Sequence, residues 1–233
     1  MRVIILAGGK GTRLKPFTNV IPKPLVPVGE MPILEIVLRQ LKATGISQVT
    51  LAVSHMARLI EAFFGDGGNL GLEISYSLED KILGTAGPLR LVEFEGDDVM
   101  VMNGDLLTTI NYRDFRRFHS EGRHDISIAT FKKEVKIDLG VLVIEDEKLI
   151  DYIEKPTYYY DVSMGIYCIN RSMMDLIPPD SRFDMPELVL KAKSLGKKIS
   201  CYSGDYEWLD IGRMDDYEEA VRLFNEHIEK YLP

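Results

Sequence analysis

The stretch "RVIILAGGKGTRLKPFTNVIPKPLVPVG", residues 2–29, sets an apolar run directly before a loop rich in glycine, proline and cations. Residues 2–7 are mostly apolar and include β-branched side chains, a pattern that favours a buried strand. Glycine in the following loop lets backbone N–H groups approach an anion, because no Cβ blocks the way. The stretch therefore predicts a first strand that ends in an anion-binding loop.

Two common phosphate-binding patterns are absent from this loop. A dinucleotide fingerprint needs G-x-G-x-x-G, and Leu14 stands where the third glycine belongs. The P-loop pattern G-x-x-x-x-G-K-[ST] is missing as well. The loop instead carries Lys10 and Arg13, and the backbone around Lys23 is restricted by Pro22, Pro24 and Pro27. A lysine held in this way suits catalysis on a phosphate group, although composition alone also fits a turn with solvated cations.

Beyond this stretch, apolar runs rich in β-branched residues alternate with helical periodicity. The predicted strands are residues 2–7, 48–54, 72–77, 98–103 and 125–131. The predicted helices are residues 33–44, 57–64, 86–94 and 112–120, the first closed by Gly45 and the last by Gly122. Such alternation is typical of βαβ units. We therefore expect an α/β fold with a Rossmann-like, mostly parallel (mixed) sheet flanked by helices.

The second half of the chain has a different pattern, with more strands and fewer helices. The runs "LGVLVI" (139–144) and "LIDYIE" (149–154) flank the charged "EDEK" (145–148), which predicts a hairpin-like insertion. A further strand is predicted at residues 163–170, and helices at residues 185–195 and 216–232. One face of the last helix is apolar and should pack on the sheet, with a homodimer contact as the alternative; it carries Tyr217, Val221, Phe224, Ile228 and Leu232.

Composition narrows the class of protein. The chain of 233 residues is 45% hydrophobic and has a net charge of −8, from 28 cationic and 36 anionic residues. A chain this acidic is not expected to bind nucleic acid through general electrostatics. Its two cysteines, Cys168 and Cys201, have no metal-like spacing, which favours a reduced, cytoplasmic setting and a place for both in the core. No window approaches the roughly 20 apolar residues of a membrane span, so no membrane partner is expected.

The opening stretch, taken as "LAGGKGTRLKPFTNVIPKPLVPVG" (6–29), resembles the signature L-A-G-G-x-G-T-R-L-x-P-x-T-x-x-x-P-K-P-[ML]-x-P-[VI] of the sugar-1-phosphate nucleotidyltransferases, or nucleotide-sugar pyrophosphorylases. Further segments resemble the same family in the same order. They are "LGTAGPL" (83–89) for base recognition, "NGD" (103–105) for a metal-binding turn, "EKP" (154–156) for the sugar phosphate and "WLDIG" (208–212) for a second metal carboxylate. Each short motif alone is an ordinary turn, surface or core segment, so their joint order carries the inference.

The resemblance implies a set of site residues. Arg13 and Lys23 would be catalytic, and Asp105 and Asp210 would hold a Mg²⁺ cofactor, which takes one or two carboxylates together with phosphate oxygens. The residues implied for nucleotide binding are Leu6, Ala7, Gly8, Gly9, Gly11, Thr12, Glu79, Gly84 and Thr85. The residues implied for sugar-phosphate binding are Asn103, Gly140, Glu154, Lys155, Ser163 and Gly165.

The resemblance also implies a reaction. The phosphate of a sugar 1-phosphate would attack the α-phosphorus of a nucleoside triphosphate, releasing pyrophosphate and leaving a nucleoside-diphosphate sugar. Arg13 would stabilise the departing pyrophosphate, and Lys23 would reach phosphate oxygens around the reacting centre. Catalysis would then consist of positioning and charge neutralisation, helped by Mg²⁺ at the α-phosphate.

The base and the sugar are less constrained. "LGTAGPL" is closest to the mannose-1-phosphate guanylyltransferase branch, which implies GTP with mannose 1-phosphate or a related sugar. Uridylyl-, thymidylyl- and cytidylyltransferases stay open, as does a non-catalytic nucleotide-sugar-binding regulatory subunit. Where the family often has N-A-G-[IL]-Y, Ser163 and Met164 stand here, which leaves room for a deoxy, amino or heptose sugar or a phosphorylated non-sugar. Arg213 and Met214 replace a common Thr-Pro.

The expected organisation is one nucleotidyltransferase domain over residues 1–233. Within it, a nucleotide-binding lobe would span about residues 1–130, and a smaller β-rich lobe for the sugar phosphate, with the C-terminal helix, about residues 131–233. No β-helix domain is expected. The partners would be a nucleoside triphosphate and a sugar 1-phosphate, and a homodimer is possible.

Overall fold

The computed structural model describes residues 1–232. The strands are β1 (Arg2–Leu6), β2 (Pro27–Val28), β3 (Met31–Pro32), β4 (Gln48–Val53), β5 (Glu73–Leu78), β6 (Asp98–Asn103), β7 (Leu106–Thr108), β8 (Ile126–Lys136), β9 (Val141–Glu145), β10 (Lys148–Ile153), β11 (Thr157–Asn170), β12 (Ile199–Tyr202) and β13 (Trp208–Asp210). The α-helices are α1 (Ile33–Ala43), α2 (Ala57–Phe64), α3 (Tyr112–Gly122), α4 (Met185–Ser194), α5 (Met214–Glu226) and α6 (Ile228–Tyr231).

A seven-stranded sheet in the order β12-β8-β11-β6-β1-β4-β5 forms the centre of the fold. Strands β6, β1, β4 and β5 are parallel, whereas β11 runs antiparallel to both β6 and β8. The predicted mostly parallel, mixed sheet is therefore confirmed. The chain places β4 and β5 on one side of β1 and β6 on the other, and this reversal creates a topological switch point. In open α/β sheets, ligands bind at the carboxyl ends of the strands beside such a point.

Apolar side chains cover both faces of the sheet. Neighbouring residues of β1 point to opposite faces, so Ile5 packs with α1, α2 and α3 while Ile4 packs with α4. A third apolar cluster joins Leu14, in the glycine-rich segment, to Phe224 and Tyr231 at the C-terminal end. Burial of one such large apolar side chain contributes about 1.5–3 kcal/mol. The C-terminal helices thus pack against the segment that opens the chain.

Strands β8 and β11 extend beyond the sheet and carry the hairpin formed by β9 and β10. Residues 132–162, which we call the arm, are mostly exposed to solvent. After the arm the chain returns to the main body, because β12 pairs with β8 and β13 pairs with β7. The β-rich part that projects from the body is consequently the arm alone, and the last 30 or so residues pack with the first half of the chain.

Two predicted helices differ in the structure. Residues 86–94 form only a 3-10 turn at Gly87–Leu91, because the N–H groups of Ala86 and Gly87 donate to the carbonyl of Phe183 at 2.9 and 3.0 Å. The helix predicted at 216–232 begins at Met214 and is broken at His227, whose φ of −140° is extended. The final helical turn therefore lies at an angle that buries Tyr231 and leaves Ile228 exposed.

Two smaller predictions were also wrong. Helix α3 includes Gly122, and Arg123 is the residue that takes the left-handed conformation, with a φ of 48°. Gly122 is required for space, because a Cβ there would overlap the ring of His124. Cys168 is buried as expected, but Cys201 is exposed on the edge strand β12. Within residues 1–232 no helix is both long and apolar enough to cross a bilayer.

Candidate active site

The carboxyl ends of β6, β1, β4 and β5 form the floor of a cleft of about 360 Å³. The cleft lies at the switch point of the sheet, where ligand binding is expected. Ten of the residues singled out in the sequence line it: Leu6, Ala7, Gly8, Gly9, Lys23, Glu79, Gly84, Thr85, Asn103 and Asp105. The fold thus brings together residues that are separated by as many as 99 positions along the chain. Their arrangement in the cleft follows the order of the strands in the sheet.

Gly8 allows a carboxylate to lie directly against the glycine-rich backbone. A Cβ on Gly8 would be 3.0 Å from Oε1 of Glu79 and 3.2 Å from Cβ of Ser54. Burial raises the pKa of the Glu79 carboxyl above its usual value, and a hydrogen bond from the Leu83 N–H opposes that rise in part. The base of the cleft below Glu79 is therefore narrow, and the carboxylate is incompletely solvated.

Gly11 and Thr12 do not line the cleft. Gly11 adopts a left-handed conformation, with a φ of 59°, and precedes the 3-10 turn that contains Thr12 and Arg13. A Cβ on Gly11 would be 3.0 Å from Cβ of Lys23, so this glycine lets the loop pack against the lysine side chain. Gly11 thus contributes to the site by leaving room for the Lys23 side chain.

Lys23 and Asp105 form an ion pair at the wall of the cleft. Their side chains are only 13% and 18% exposed, so water screens this pair less than it would at the surface. Lys23 begins a 3-10 turn between Pro22 and Pro24, and because each proline ring fixes its own φ, the backbone on both sides of Lys23 is restricted. The turn that carries Asp105 is tied to β1 by a hydrogen bond of 3.1 Å from the Gly104 N–H to the Leu6 carbonyl. Both charges are therefore held by short, constrained backbone segments.

Asp210 lies next to this ion pair. Strand β13 pairs with β7 so that Asp210 is opposite Leu106, and the Ile211 N–H donates to the Asp105 carbonyl at 3.1 Å. Burial raises the pKa of the Asp210 carboxyl and the charge of Asp105 adds to the rise, whereas Lys23 and Arg13 lower it. Arg13 itself does not line the cleft, but its guanidinium faces the same small residue, Gly212, as the Asp210 carboxylate. Two carboxylates and two cations thus lie together beside one end of the cleft, with Lys23 and Asp105 in its wall.

The carboxylates of Asp105 and Asp210 fit a divalent cation whose remaining ligands include phosphate oxygens of a bound molecule. Asp105 and Asp210 are close enough for each charge to oppose the other, and a cation between them would relieve that repulsion. Among residues 1–232 there is no group of three or more His, Cys, Asp or Glu side chains arranged to hold a metal. An ion bound by protein ligands alone is therefore not supported, whereas Mg²⁺ usually keeps waters and takes phosphate oxygens beside one or two carboxylates.

A second, smaller cleft of about 210 Å³ shares Asn103 with the first. It is also lined by Ser163, Gly165 and Asp210. Gly165 has a φ of 73°, and a Cβ there would be 2.6 Å from Nδ2 of Asn103. The hydroxyls of Ser163 and Tyr167 are 2.9 Å apart and hydrogen-bonded. This cleft is therefore small, lined by both polar and apolar side chains, and adjacent to the charged end of the larger one.

The three remaining sugar-phosphate candidates lie elsewhere. Gly140 precedes β9, and Glu154 and Lys155 follow β10, at the base of the hairpin on the arm. None of the three lines either cleft, so the structure does not bring them to the site. Met164 was expected to affect the choice of sugar, but its side chain is fully buried in the core. Both Met164 and Ser163 line the smaller cleft, and Ser163 is the one that brings a hydroxyl to it.

Four residues that the sequence did not single out also line the larger cleft: Ser54, Ile82, Arg182 and Asp184. Ser54 follows β4 directly, so knowledge of the parallel sheet would have pointed to it. Asp184 precedes helix α4 with Glu187 three residues later, a pattern that signals a helix start and says nothing of a binding site. Arg182 has no local signal at all and reaches the cleft through tertiary structure.

The geometry agrees with comparisons to known proteins. Residues 2–227 match the Nucleotidyl transferase family. A UTP--glucose-1-phosphate uridylyltransferase from Synechocystis sp. is 33% identical over 95% of this chain and 63% of that protein. A probable mannose-1-phosphate guanylyltransferase 1 from Oryza sativa subsp. japonica is 32% identical over 100% of this chain and 67% of that protein. The chain therefore spans about two thirds of the length of these curated relatives.

The fold has a close match among solved structures. A protein from Bacillus anthracis, assigned as a glucose-1-phosphate thymidylyltransferase and solved in complex with sucrose, superposes with a TM-score of 0.77 and 26% identity. The match covers 96% of this chain and 94% of that one. With a family match across almost its whole length and two relatives above 30% identity, the chain belongs to the nucleotidyl transferase family.

Proposed function

We propose that this protein transfers GMP from GTP to a sugar 1-phosphate, forming a GDP-sugar and pyrophosphate. The observation that carries the proposal is the cluster of Lys23, Asp105, Asp210 and Arg13 at one end of a glycine-walled cleft. Phosphoryl transfer needs little covalent chemistry from the protein, and positioned charges of this kind supply what it does need. The two curated relatives act, by their names, on sugar 1-phosphates with different nucleotides, which supports the reaction class.

In this mechanism, an oxygen of the sugar 1-phosphate attacks the α-phosphorus of GTP. The bond between the α-phosphorus and the bridging oxygen to the β-phosphorus breaks, and pyrophosphate leaves. Lys23 neutralises phosphate oxygens around the reacting centre, and Arg13 stabilises the negative charge that develops on the leaving group. The protein needs no nucleophile of its own, so its contribution is orientation and electrostatics.

The cofactor of the proposed reaction is Mg²⁺, with Asp105 and Asp210 as its protein ligands. When bound, the ion supplies Lewis-acid polarisation of a phosphate oxygen and draws the two anionic substrates together. Lys23 already contacts one carboxylate oxygen of Asp105, so the lysine and the ion would share that carboxylate. The remaining ligands would be phosphate oxygens and waters.

Glu79 supports guanine as the base. An ionised carboxylate only accepts hydrogen bonds, and guanine offers two adjacent donors, N1–H and the 2-amino group. Uracil and thymine offer a single N–H between two carbonyl oxygens, which the carboxylate would repel. Glu79 follows β5 and its carboxylate reaches Gly8, just beyond the end of β1, whereas Asp105 follows β6 on the other side of β1. A nucleotide with its phosphates at Asp105 would therefore direct its base towards Glu79.

The sugar site of the proposal is the smaller cleft around Ser163 and Gly165. Its hydroxyl pair, Ser163 and Tyr167, offers hydrogen bonds to sugar hydroxyls, and its size suits one ring better than two. Mannose 1-phosphate or a related sugar is proposed, with deoxy, amino and heptose sugars as alternatives. Glu154 and Lys155 would take part only if the arm closes over the sugar phosphate.

The test is a matrix of GTP, ATP, UTP, CTP and dTTP against a panel of sugar 1-phosphates, measured as pyrophosphate release with and without Mg²⁺. The proposal expects turnover with GTP above all other triphosphates, and loss of turnover without the ion. Turnover with UTP or dTTP instead would retain the reaction class and refute the base. Tight binding of GDP-mannose with no turnover of any pair would favour the regulatory subunit.

A further inference from the structure

The segment that lines the cleft beside Glu79 is fixed by a second segment far away in the chain. The two segments, residues 83–87 and residues 183–185, form six hydrogen bonds with each other. Phe183 bonds at both its N–H and its carbonyl, and the Met185 N–H donates to the Thr85 hydroxyl at 2.8 Å. Thr85 therefore lines the cleft with its own N–H and hydroxyl already engaged. A ligand in this part of the cleft must therefore accept hydrogen bonds from residues other than Thr85.

Asp184 connects this contact to a cation. Its Oδ1 accepts from the Thr85 N–H at 2.9 Å and from the Thr85 hydroxyl at 3.3 Å. Its Oδ2 pairs with Nη2 of Arg182 at 3.2 Å. A Cβ on Gly84, which has a φ of 81°, would be 2.6 Å from Oδ1 of Asp184, so the glycine permits this close approach. Asp184 thus connects the guanidinium of Arg182 to the backbone at Gly84 and Thr85.

Arg182 has unused donors that face the cleft. Its side chain is 70% exposed, and within residues 1–232 its one side-chain hydrogen bond is the one to Asp184. A guanidinium carries five N–H donors in a planar fork, so most of them are free. Ile82, 70% exposed, adds an apolar surface to the same wall. An apolar surface beside a fork of donors suits a planar, acceptor-bearing ring.

Resting on the function proposed above, we propose that Arg182 is a specificity-determining residue that reads the O6/N7 edge of guanine. Arginine makes a bidentate contact with these two acceptors, and it cannot make that contact with adenine, whose position 6 carries a donor. Glu79 would face the N1–H and 2-amino edge, so a carboxylate and a guanidinium would contact different edges of one base. Arg182 precedes Phe183, whose N–H donates to the Leu83 carbonyl at 2.9 Å, and the Leu83 N–H donates to Glu79 at 3.4 Å, so Arg182 is connected to the same wall of the cleft as Glu79.

The experiment measures kcat/KM with GTP, ITP, 7-deaza-GTP and UTP in wild type and in R182A. Inosine keeps O6 and N7, and the 7-deaza base lacks N7. R182A should lower kcat/KM about 10-fold to 100-fold for GTP and ITP, and leave UTP unchanged. In wild type the 7-deaza base should be a poorer substrate than GTP, and in R182A that difference should disappear.

The matched control is R117A. Arg117 is also an exposed arginine, 62% accessible, and pairs with a nearby aspartate, Asp114, at 3.0 Å, but it lies on α3 outside the cleft. R117A should keep the wild-type preference for all four triphosphates. An equal loss in R182A with all four would assign Arg182 to the phosphates and overturn the proposal, as would no loss at all. Wild type that prefers UTP or turns over none of them would instead refute the proposed function itself.

Discussion

Among single residues, Lys23 and Asp105 matter most to the proposed function because each compensates the charge of the other in the wall of the cleft. Replacing either with alanine removes a preorganised charge, an effect on the order of 10²-fold or more in turnover. We expect K23A and D105A each to lower pyrophosphate release by that factor. K193A is the control, since Lys193 is exposed on α4. Rates for K23A and D105A equal to that of K193A would contradict the mechanism.

In the proposed function, Glu79 should make the affinity for GTP depend on pH. Burial raises the pKa of its carboxyl, so the group takes up a proton at a higher pH than an ordinary glutamate does. Only the ionised form accepts from both guanine donors, so the KM for GTP should rise as the pH falls through this raised pKa. Steady-state kinetics across mildly acidic pH will measure it.

The variant E79Q provides the comparison. Glutamine does not titrate, so its KM for GTP should be higher than that of wild type at neutral pH and should change less with pH. Because the buried carboxylate destabilises the folded state above the ordinary glutamate pKa, E79Q should also unfold at a higher temperature at neutral pH than wild type. A KM for GTP with the same pH profile in both proteins would show that Glu79 does not contact the base.

At the scale of secondary-structure elements, Gln40 joins α1 to two other elements. Its side chain is 8% exposed, and its Nε2 donates to the carbonyls of Thr108 and Tyr231, each at 2.8 Å. Q40L would leave both buried carbonyls without this donor, which costs about 1–3 kcal/mol in the free energy of unfolding. Urea unfolding measures the loss. Q48L is the control, because Gln48 makes an exposed hydrogen bond to Glu73, and an equal effect in both variants would contradict the assignment.

The sequence predicted the elements of the parallel sheet well and the others less well. Buried strands such as β4 are continuous apolar runs, so periodicity located them to within about one residue. The 3-10 turn Gly87–Leu91 was predicted as a helix because the hydrogen bonds to Phe183 come from 96 or more positions away. Strands β8 and β11 were predicted too short, because their outer parts lie on the arm, where β8 is mostly charged and β11 carries a run of exposed or half-buried tyrosines instead of a buried apolar face. Tertiary contacts, which no local pattern records, explain both differences.

At the scale of the whole molecule, the site forms where segments from the two halves of the chain meet. The glycine-rich loop, Lys23 and Asp105 were predictable, because they follow predicted strands or lie within recognisable motifs. Arg182 and Asp184 were not, because only the fold brings the start of α4 to the cleft. Glu154 and Lys155 stay predictions, since the arm carries them outside both clefts. The expected homodimer and cytoplasmic setting likewise stay predictions.

The central claim is that the chain joins GTP to a sugar 1-phosphate at this cleft. The most direct measurement follows a ³²P label placed in mannose 1-phosphate during incubation with GTP and Mg²⁺, with the products separated chromatographically. We expect the label to appear in a GDP-sugar as its β-phosphate, with one pyrophosphate released for each molecule formed, and we expect K23A and D105A to lose this product. Label that stays in the sugar phosphate, or that is found in pyrophosphate or free phosphate while GTP is consumed, would contradict it.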